Sequence, residues 1–487
     1  MQTAGHVGAG AVRQLLPDLA EQPGPRYRAL SSALAGLLLD GRLGSGVRLP
    51  SERDLAATLK ISRATATAAY DELAADGLLI RKRGAGSYLI LPSGATVSGP
   101  GGRIARTGRR PGLLDLSVAS LPAIPGVIEN AMQAVSADLS RFTGQDGYHP
   151  YGLADLRARI AERYTQRGVA TTAEDILVTN GAQHSFDLIL RLATNPGDRV
   201  LTELPTYPGA VEAIKAHQAR AVAVPFAADG GWDTATIANL LRQTAPRIAY
   251  LIPDFHNPTG RLIDTESRRA VVSAARRSGT VVVVDESFVD LDLRSAGESG
   301  RAILPTAALD RTVISLGSLS KPLWGGLRIG WIRADPDTVQ RLAVVRARSD
   351  MAGSVIDQLV AQHVLPGIDD LIGQRRVELA TKRDALLAAL ADALPSWRPS
   401  RADGGLSIWL ELDAPGATAL THLLEQRGVL LTPGPRFALD GTLERFLRFP
   451  FALAVEDLVR AVGLTAQAWT EIDRTSIGRS AGSLITA

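Results

Sequence analysis

The chain has 487 residues, 45% hydrophobic and 21% charged, with 53 basic against 50 acidic side chains and no cysteine. At roughly 150 residues per domain this is about three domains' worth of sequence with ample core, which excludes disordered and fibrous classes. The lack of cysteine excludes disulfides, thiolate metal sites and cysteine nucleophiles. The seven histidines show no helix-spaced pair, so no metal site is expected. Amine chemistry must choose among five lysines: Lys60, Lys82, Lys215, Lys321 and Lys382.

Residues 1–24 read as a loosely ordered leader. They lack the basic start and apolar run of a signal peptide. No stretch anywhere approaches the ~18 apolar residues that span a bilayer, so a cytoplasmic protein without membrane contact is expected. From Pro25, Tyr27, Leu30, Leu34, Leu37 and Leu38 recur at helical spacing. A short second helix follows Ser51, with Leu55, Ala56 and Leu59 inward. Ser62 is placed to cap a third, with Ala66, Tyr70 and Leu73 on its buried side. Residues 79–82 and 87–90 flank Gly84 and Gly86 as a β-hairpin. Residues 25–91 thus spell a winged helix-turn-helix.

Residues 92–112 hold six glycines, four arginines and no acid, a flexible basic linker. Over 113–475, short Val/Ile-rich runs at 176–179, 199–203, 247–252, 280–285 and 312–317 alternate with amphipathic stretches. That order predicts an α/β domain with a mostly parallel sheet. Long Ala/Leu/Arg helices and a strand at 405–412 then predict a smaller α+β subdomain, before a tail at 476–487.

Ligands of open α/β sheets lie beyond the carboxyl ends of the strands, where this sequence collects its unusual residues. The turn Asn180-Gly181-Ala182-Gln183 opens a helix whose free N–H groups and dipole suit a phosphate. The other strands are followed by Tyr207, by Asn257 in NPTG, by Asp285, and by Ser318, Ser320 and Lys321. An anion cradle, a ring, an amide, a carboxylate and an amine on one rim make the set that a pyridoxal phosphate site needs. Lys321 supplies the amine for the aldehyde, and Asp285 a carboxylate for the pyridine nitrogen. Asn257 can donate to the phenolic oxygen, Tyr207 can stack on the ring, and Ser318, Ser320 and Arg328 can join the phosphate.

The segment GSLSKPLWGGLRIGW (317–331), with NPTG, PTYP and the Gly-Ala-Gln turn in the same order, resembles the motifs of fold-type I aminotransferases. The resemblance implies that Tyr148, in YHPYGLADLR (148–157), reaches a neighbouring subunit's site. It also implies that Arg448, in FLRFPF (446–451), grips an effector carboxylate. The sequence DESF (285–288) departs from that pattern, with Phe288 where the family commonly has a tyrosine that donates to the phenolic oxygen. Binding is expected to survive this change and efficient transamination to suffer.

Residues 49–89 resemble the GntR-type winged helix. Arg63, Thr65 and Thr67 on the recognition helix begun by Ser62 would face the major groove of double-stranded operator DNA. Arg53 would hold a phosphate, and the hairpin tip Arg83-Gly84-Ala85-Gly86 would approach the backbone or minor groove. The basic strand Arg81-Lys82-Arg83 points the same way. Joined to the aminotransferase-like part, this module resembles the MocR (GabR-type) subfamily of regulators. The resemblance implies a homodimer with pyridoxal 5'-phosphate as cofactor and an amine, an amino acid or the cofactor itself as effector. It implies a sensor rather than an enzyme. An active aminotransferase with an accessory DNA-binding domain remains the alternative.

Overall fold

The computed structural model describes residues 7–16, 25–39, 43, 47–75, 78–82, 86–89, 112–227, 230–294, 303–439 and 442–472. Arg83, Gly84 and Ala85 of the expected hairpin tip, residues 92–111 of the linker and the tail at 476–487 lie outside the described residues.

In the N-terminal part the helices Arg26–Leu39, Glu52–Leu59 and Arg63–Ala75 are followed by the antiparallel strands β1 (Leu79–Lys82) and β2 (Gly86–Leu89). Ser51 caps the second helix by accepting from the Asp54 N–H at 3.1 Å, and Ser62 caps the third from the Thr65 N–H at 3.0 Å. Such caps satisfy N–H groups that a helix start leaves free. Lys60, left-handed at φ 54°, ends the second helix and turns the chain toward the third. Leu30, Leu34, Leu55, Tyr70 and Leu73 are fully buried, and the Tyr70 hydroxyl donates to the Pro50 carbonyl at 2.9 Å. The leader differs from its loosely ordered expectation: Ala9–Leu15 is a helix, and its Val12 is buried in this same core. Val7, Leu15 and Leu16 pack against the same core, so a few apolar side chains dock the segment despite its glycines.

The α/β part is built on a seven-stranded sheet in the order β4-β10-β9-β8-β7-β5-β6. The five expected strands are β4 (Ile176–Thr179), β5 (Arg199–Leu204), β7 (Ile248–Leu251), β8 (Val281–Asp285) and β9 (Ile314–Ser318). β6 (Arg220–Pro225) and β10 (Gly330–Arg333) complete the sheet. The neighbours from β9 through β6 pair in parallel, and β10 runs antiparallel to both β4 and β9. Helices cover both faces. Val282 and Val284 pack into one core and Val283 into the other. That is why these strands read as unbroken apolar runs.

The smaller part carries the antiparallel sheet β11-β12-β15-β14, with β11 Arg398–Pro399, β12 Ser407–Glu411, β14 Thr432–Pro433 and β15 Phe446–Pro450. Helices Ile368–Ala393, Ala417–Gln426 and Val455–Glu471 contribute to its core. β3 (Leu114–Asp115) pairs in parallel with β13 (Val429–Leu430), which draws residues 117–120 toward this sheet. No helix among the described residues is long and apolar enough to cross a membrane.

Candidate functional site

β10 positions the site. Its Gly330 pairs with Ser318 on β9 and with Thr179 on β4, so one short strand brings the lysine loop beside the Asn180-Gly181 turn. Gly181 has φ +100°, and a Cβ there would stand 2.9 Å from Arg328 Nη2. Only glycine suits both demands. The helix that follows, Ala182–Ala193, has no side-chain cap, which leaves its N–H groups and positive dipole end for another partner.

Arg328 is itself left-handed at φ 54°. Its Nη2 donates to the Asn180 carbonyl and its Nη1 to the Gly325 carbonyl at 3.4 Å. Among the described residues no carboxylate pairs with it. Behind the turn, Asn180 Nδ2 donates to Asp350 at 2.7 Å, and Arg346 also holds Asp350, at 2.9 Å. The Gln183 side chain donates to the Gly209 carbonyl at 3.0 Å, tying the turn to the helix begun by Tyr207.

Lys321 Nζ donates to the Ala119 carbonyl at 2.8 Å and lies 5.4 Å from the centre of the Phe288 ring. Removal from water, with Arg448 and Arg328 nearby, pushes the amine down to about 8. Asp285 is buried, accepting from the Tyr250 hydroxyl at 2.7 Å and from the Ser287 N–H at 2.9 Å. Burial and the Asp285 charge push Tyr207 up to about 12. Asn257 is buried beside Arg448, whose Nη1 donates to Asn257 Oδ1 at 3.4 Å and whose Nη2 donates to the Ser117 carbonyl at 2.6 Å. The Arg448 guanidinium also lies 5.0 Å from the Phe437 ring centre. Ser318 accepts from the Ser320 N–H at 3.1 Å.

Lys321, Asp285, Tyr207, Asn257, Arg328 and Arg448 are thereby brought to one place. Tyr148 is 56% exposed and joins none of them among the described contacts. Sequence reasoning missed Tyr250, Ser117 and Ala119. A tyrosine inside a buried strand, needing a hydroxyl partner, was the available signal for the first. Backbone carbonyls from a distant segment leave none.

These residues fit pyridoxal phosphate. Lys321 and Arg328 lack a paired carboxylate among the described residues, and Arg328 stands against an uncapped helix start. That is a positively charged floor suited to an anionic ligand. Asp285, which accepts from two donors, places a buried carboxyl group where a ring nitrogen can be held.

Residues 114–463 match the family described as aminotransferase class I and II. The chain belongs to that family. Its aminotransferase domain is 31% identical over 350 residues to a 2-aminoadipate transaminase of Thermus thermophilus, covering 71% of this chain and 86% of the relative. The crystal structure of LysN, an α-aminoadipate aminotransferase of the same organism complexed with N-(5'-phosphopyridoxyl)-L-leucine, matches at TM-score 0.68 and 29% identity. It covers 74% of this chain and 92% of that one. Ahead of the aminotransferase domain, residues 26–89 match the gntR family of bacterial regulatory proteins. The uncharacterised HTH-type transcriptional regulator YisV of Bacillus subtilis is 25% identical over 476 residues, 91% of this chain and 96% of its own.

In the GntR region Arg53 and Arg63 are exposed, and Arg63 has no carboxylate partner among the described residues. The Ser62 and Thr65 hydroxyls bond each other at 2.8 Å. Thr67 differs from its expected outward role, since its hydroxyl donates to Glu52 at 3.0 Å. Arg81 is likewise held, by Asp71 at 2.5 Å and Glu52 at 3.0 Å, so its charge belongs to the fold. Lys82 lies over the Tyr88 ring at 5.0 Å. Gly86 has φ +105°, and a Cβ there would stand 2.7 Å from Arg48 Nε.

Proposed function

We propose that this chain is a transcriptional regulator that binds operator DNA through its GntR region and uses its aminotransferase domain, loaded with pyridoxal phosphate, to sense an amine or amino acid. The observation that carries this reading is the span of the two matches. The regulator relative aligns across both regions, whereas the transaminase relative aligns over 71% of the chain. This is the architecture of MocR-type regulators.

When bound, pyridoxal phosphate supplies an aldehyde that captures amines and a ring that withdraws electrons. In this reading Lys321 would hold the cofactor through its aldehyde and would be the group with which an incoming amine competes. Asp285 binds the ring nitrogen, Asn257 the phenolic oxygen, and Tyr207 the ring face. Gly181, Ala182, Gln183, Ser318, Ser320 and Arg328 hold the phosphate. Arg448 receives a carboxylate, and Tyr148 extends to the site of a second subunit in a homodimer. Arg53, Ser62, Arg63, Thr65 and Gly86 face DNA. The working boundaries are 25–91 for the DNA module, 92–112 for the linker and 113–475 for the sensor, in a cytoplasmic protein.

A second reading, an active aminotransferase, draws on the 31% identity to a transaminase. Phe288 weighs against it, because a phenyl ring beside Lys321 has no hydroxyl to offer the phenolic oxygen. The experiment follows cofactor absorbance on mixing with single amino acids and a 2-oxo acid. A shift to a new steady spectrum without net amine transfer supports the sensor, and conversion over many turnovers supports the enzyme.

If Arg448 holds the effector carboxylate, Arg448→Leu removes a charge-assisted pair worth about 1.5–3 kcal/mol, roughly a 10- to 150-fold loss of affinity. Absorbance titration should show that loss for amino acids and little change for amines without a carboxylate. Equal losses for both classes would remove Arg448 from this role.

A further inference from the structure

Behind the site lie two buried titratable groups that the cofactor chemistry does not use. Glu203, near the end of β5, and His256, next to Asn257, are each at most 1% exposed. Glu203 Oε1 accepts from the Trp232 indole N–H at 3.1 Å and from the Ile252 backbone N–H at 2.9 Å. On the other side, His256 Nδ1 meets the Thr259 hydroxyl at 3.0 Å. The two remaining atoms, Glu203 Oε2 and His256 Nε2, face each other at 3.9 Å, and neither has a hydrogen-bond partner among the described residues. Phe226 closes the space, its ring centre 4.8 Å from that of His256.

Buried polar atoms in native structures are paired almost without exception. Here each orphan has the other opposite it at 3.9 Å, somewhat beyond direct hydrogen-bond reach. When a small side-chain movement closes that gap, one proton lies between them, whichever of the two carries it. A protonated Glu203 donates to a bare Nε2, and an ionised Glu203 accepts from Nε2–H. Burial pushes Glu203 up to about 8 and His256 down to about 3, which favours the first arrangement at neutral pH. The pair joins two turns. Glu203 lies four residues before Tyr207, and His256 directly precedes Asn257.

We propose that Glu203 and His256 close this gap to form a proton-sharing clamp that holds the Tyr207 and Asn257 turns in register and so sets the affinity of the site for pyridoxal phosphate without touching it. This rests on the reading of those two residues as cofactor contacts. Both are positioning residues, acting through the side chains that follow them.

The test measures the dissociation constant of pyridoxal phosphate for the full chain, well below the melting temperature of each variant. Glu203→Leu removes the clamp, while Glu203→Gln keeps an acceptor for Trp232 and Ile252 and offers an N–H to His256. By the scale on which outer partners act, Glu203→Leu should weaken cofactor binding about tenfold or more and Glu203→Gln should stay within about twofold of wild type. A Glu203→Leu protein that melts earlier but binds as tightly as wild type would overturn the clamp and leave a purely structural residue. So would a Glu203→Gln protein as weak as Glu203→Leu. If wild type itself binds no pyridoxal phosphate, the cofactor reading fails first and the clamp with it.

Discussion

Replacing Lys321 by alanine is expected to abolish covalent capture of pyridoxal phosphate and the visible absorbance band that accompanies it. The loss should be complete because no other lysine can substitute. Lys60 and Lys82 lie in the GntR region, Lys215 is exposed on the helix Pro208–Ala216, and Lys382 is paired with Glu378 at 2.5 Å. Lys321 is also the lysine whose amine is made available near neutrality. Removal from water and the Arg448 charge disfavour its protonated form and bring it to about 8. The unprotonated amine is the nucleophile, so reconstitution of cofactor-free protein should accelerate as pH rises toward about 8 and level off above it. Absorbance at fixed cofactor concentration across pH checks both statements. A band that persists in Lys321→Ala would take Lys321 out of its role.

The second large effect is expected at Arg63. It opens the helix Arg63–Ala75, is exposed, and has no carboxylate partner among the described residues, so its guanidinium is available to a base edge or phosphate. If it reads a base, Arg63→Ala should weaken operator binding by about 1–3 kcal/mol and relax specificity at one position. If it holds a phosphate, the loss should be uniform across sequences, with a salt slope shallower by about one. Footprinting and anisotropy at matched salt separate these outcomes. Unchanged binding would exclude Arg63 from the interface. Arg81 is the internal comparison: held by Asp71 and Glu52, it acts through the fold, so Arg81→Ala should lower the melting temperature rather than alter base preference.

Much of the architecture was legible because burial leaves a mark in sequence. Five strands covered on both faces read as Val/Ile runs, and each ends in, or leads within six residues to, a residue that the structure gathers into the site. The two strands that escaped are explained by their positions. β6 lies at the sheet edge and is only half-buried along most of its length. β10 is four residues long and reads as a continuation of the lysine loop. In the DNA module the three helices and the Ser62 cap were legible from the apolar spacing and from Ser62 itself, whereas the Ser51 cap and the orientation of Thr67 were not. The Thr67 hydroxyl is captured by Glu52, fifteen positions away in sequence, and helical periodicity says nothing of such a partner.

The same holds within the site. Lys321 bonds to a carbonyl 202 positions away and Arg448 to one 331 positions away. A carbonyl is common to every residue, so no residue type announces it. Glu203 and His256 were passed over for a related reason. Each looks like an ordinary polar residue, Glu203 near a strand end and His256 in the turn after one, and only their burial and mutual approach mark them.

The claim at the centre of this account is that the two regions communicate. It is tested most directly by the affinity of the full chain for DNA from upstream of its own coding sequence. That affinity is measured at fixed salt with pyridoxal phosphate present, while amines and amino acids are screened by cofactor absorbance. A compound that changes the cofactor spectrum should shift operator affinity by about fivefold or more, a coupling of about 1 kcal/mol, in wild type and not in Lys321→Ala. Operator affinity unmoved by every compound that changes the spectrum, together with their conversion over many turnovers, would contradict it.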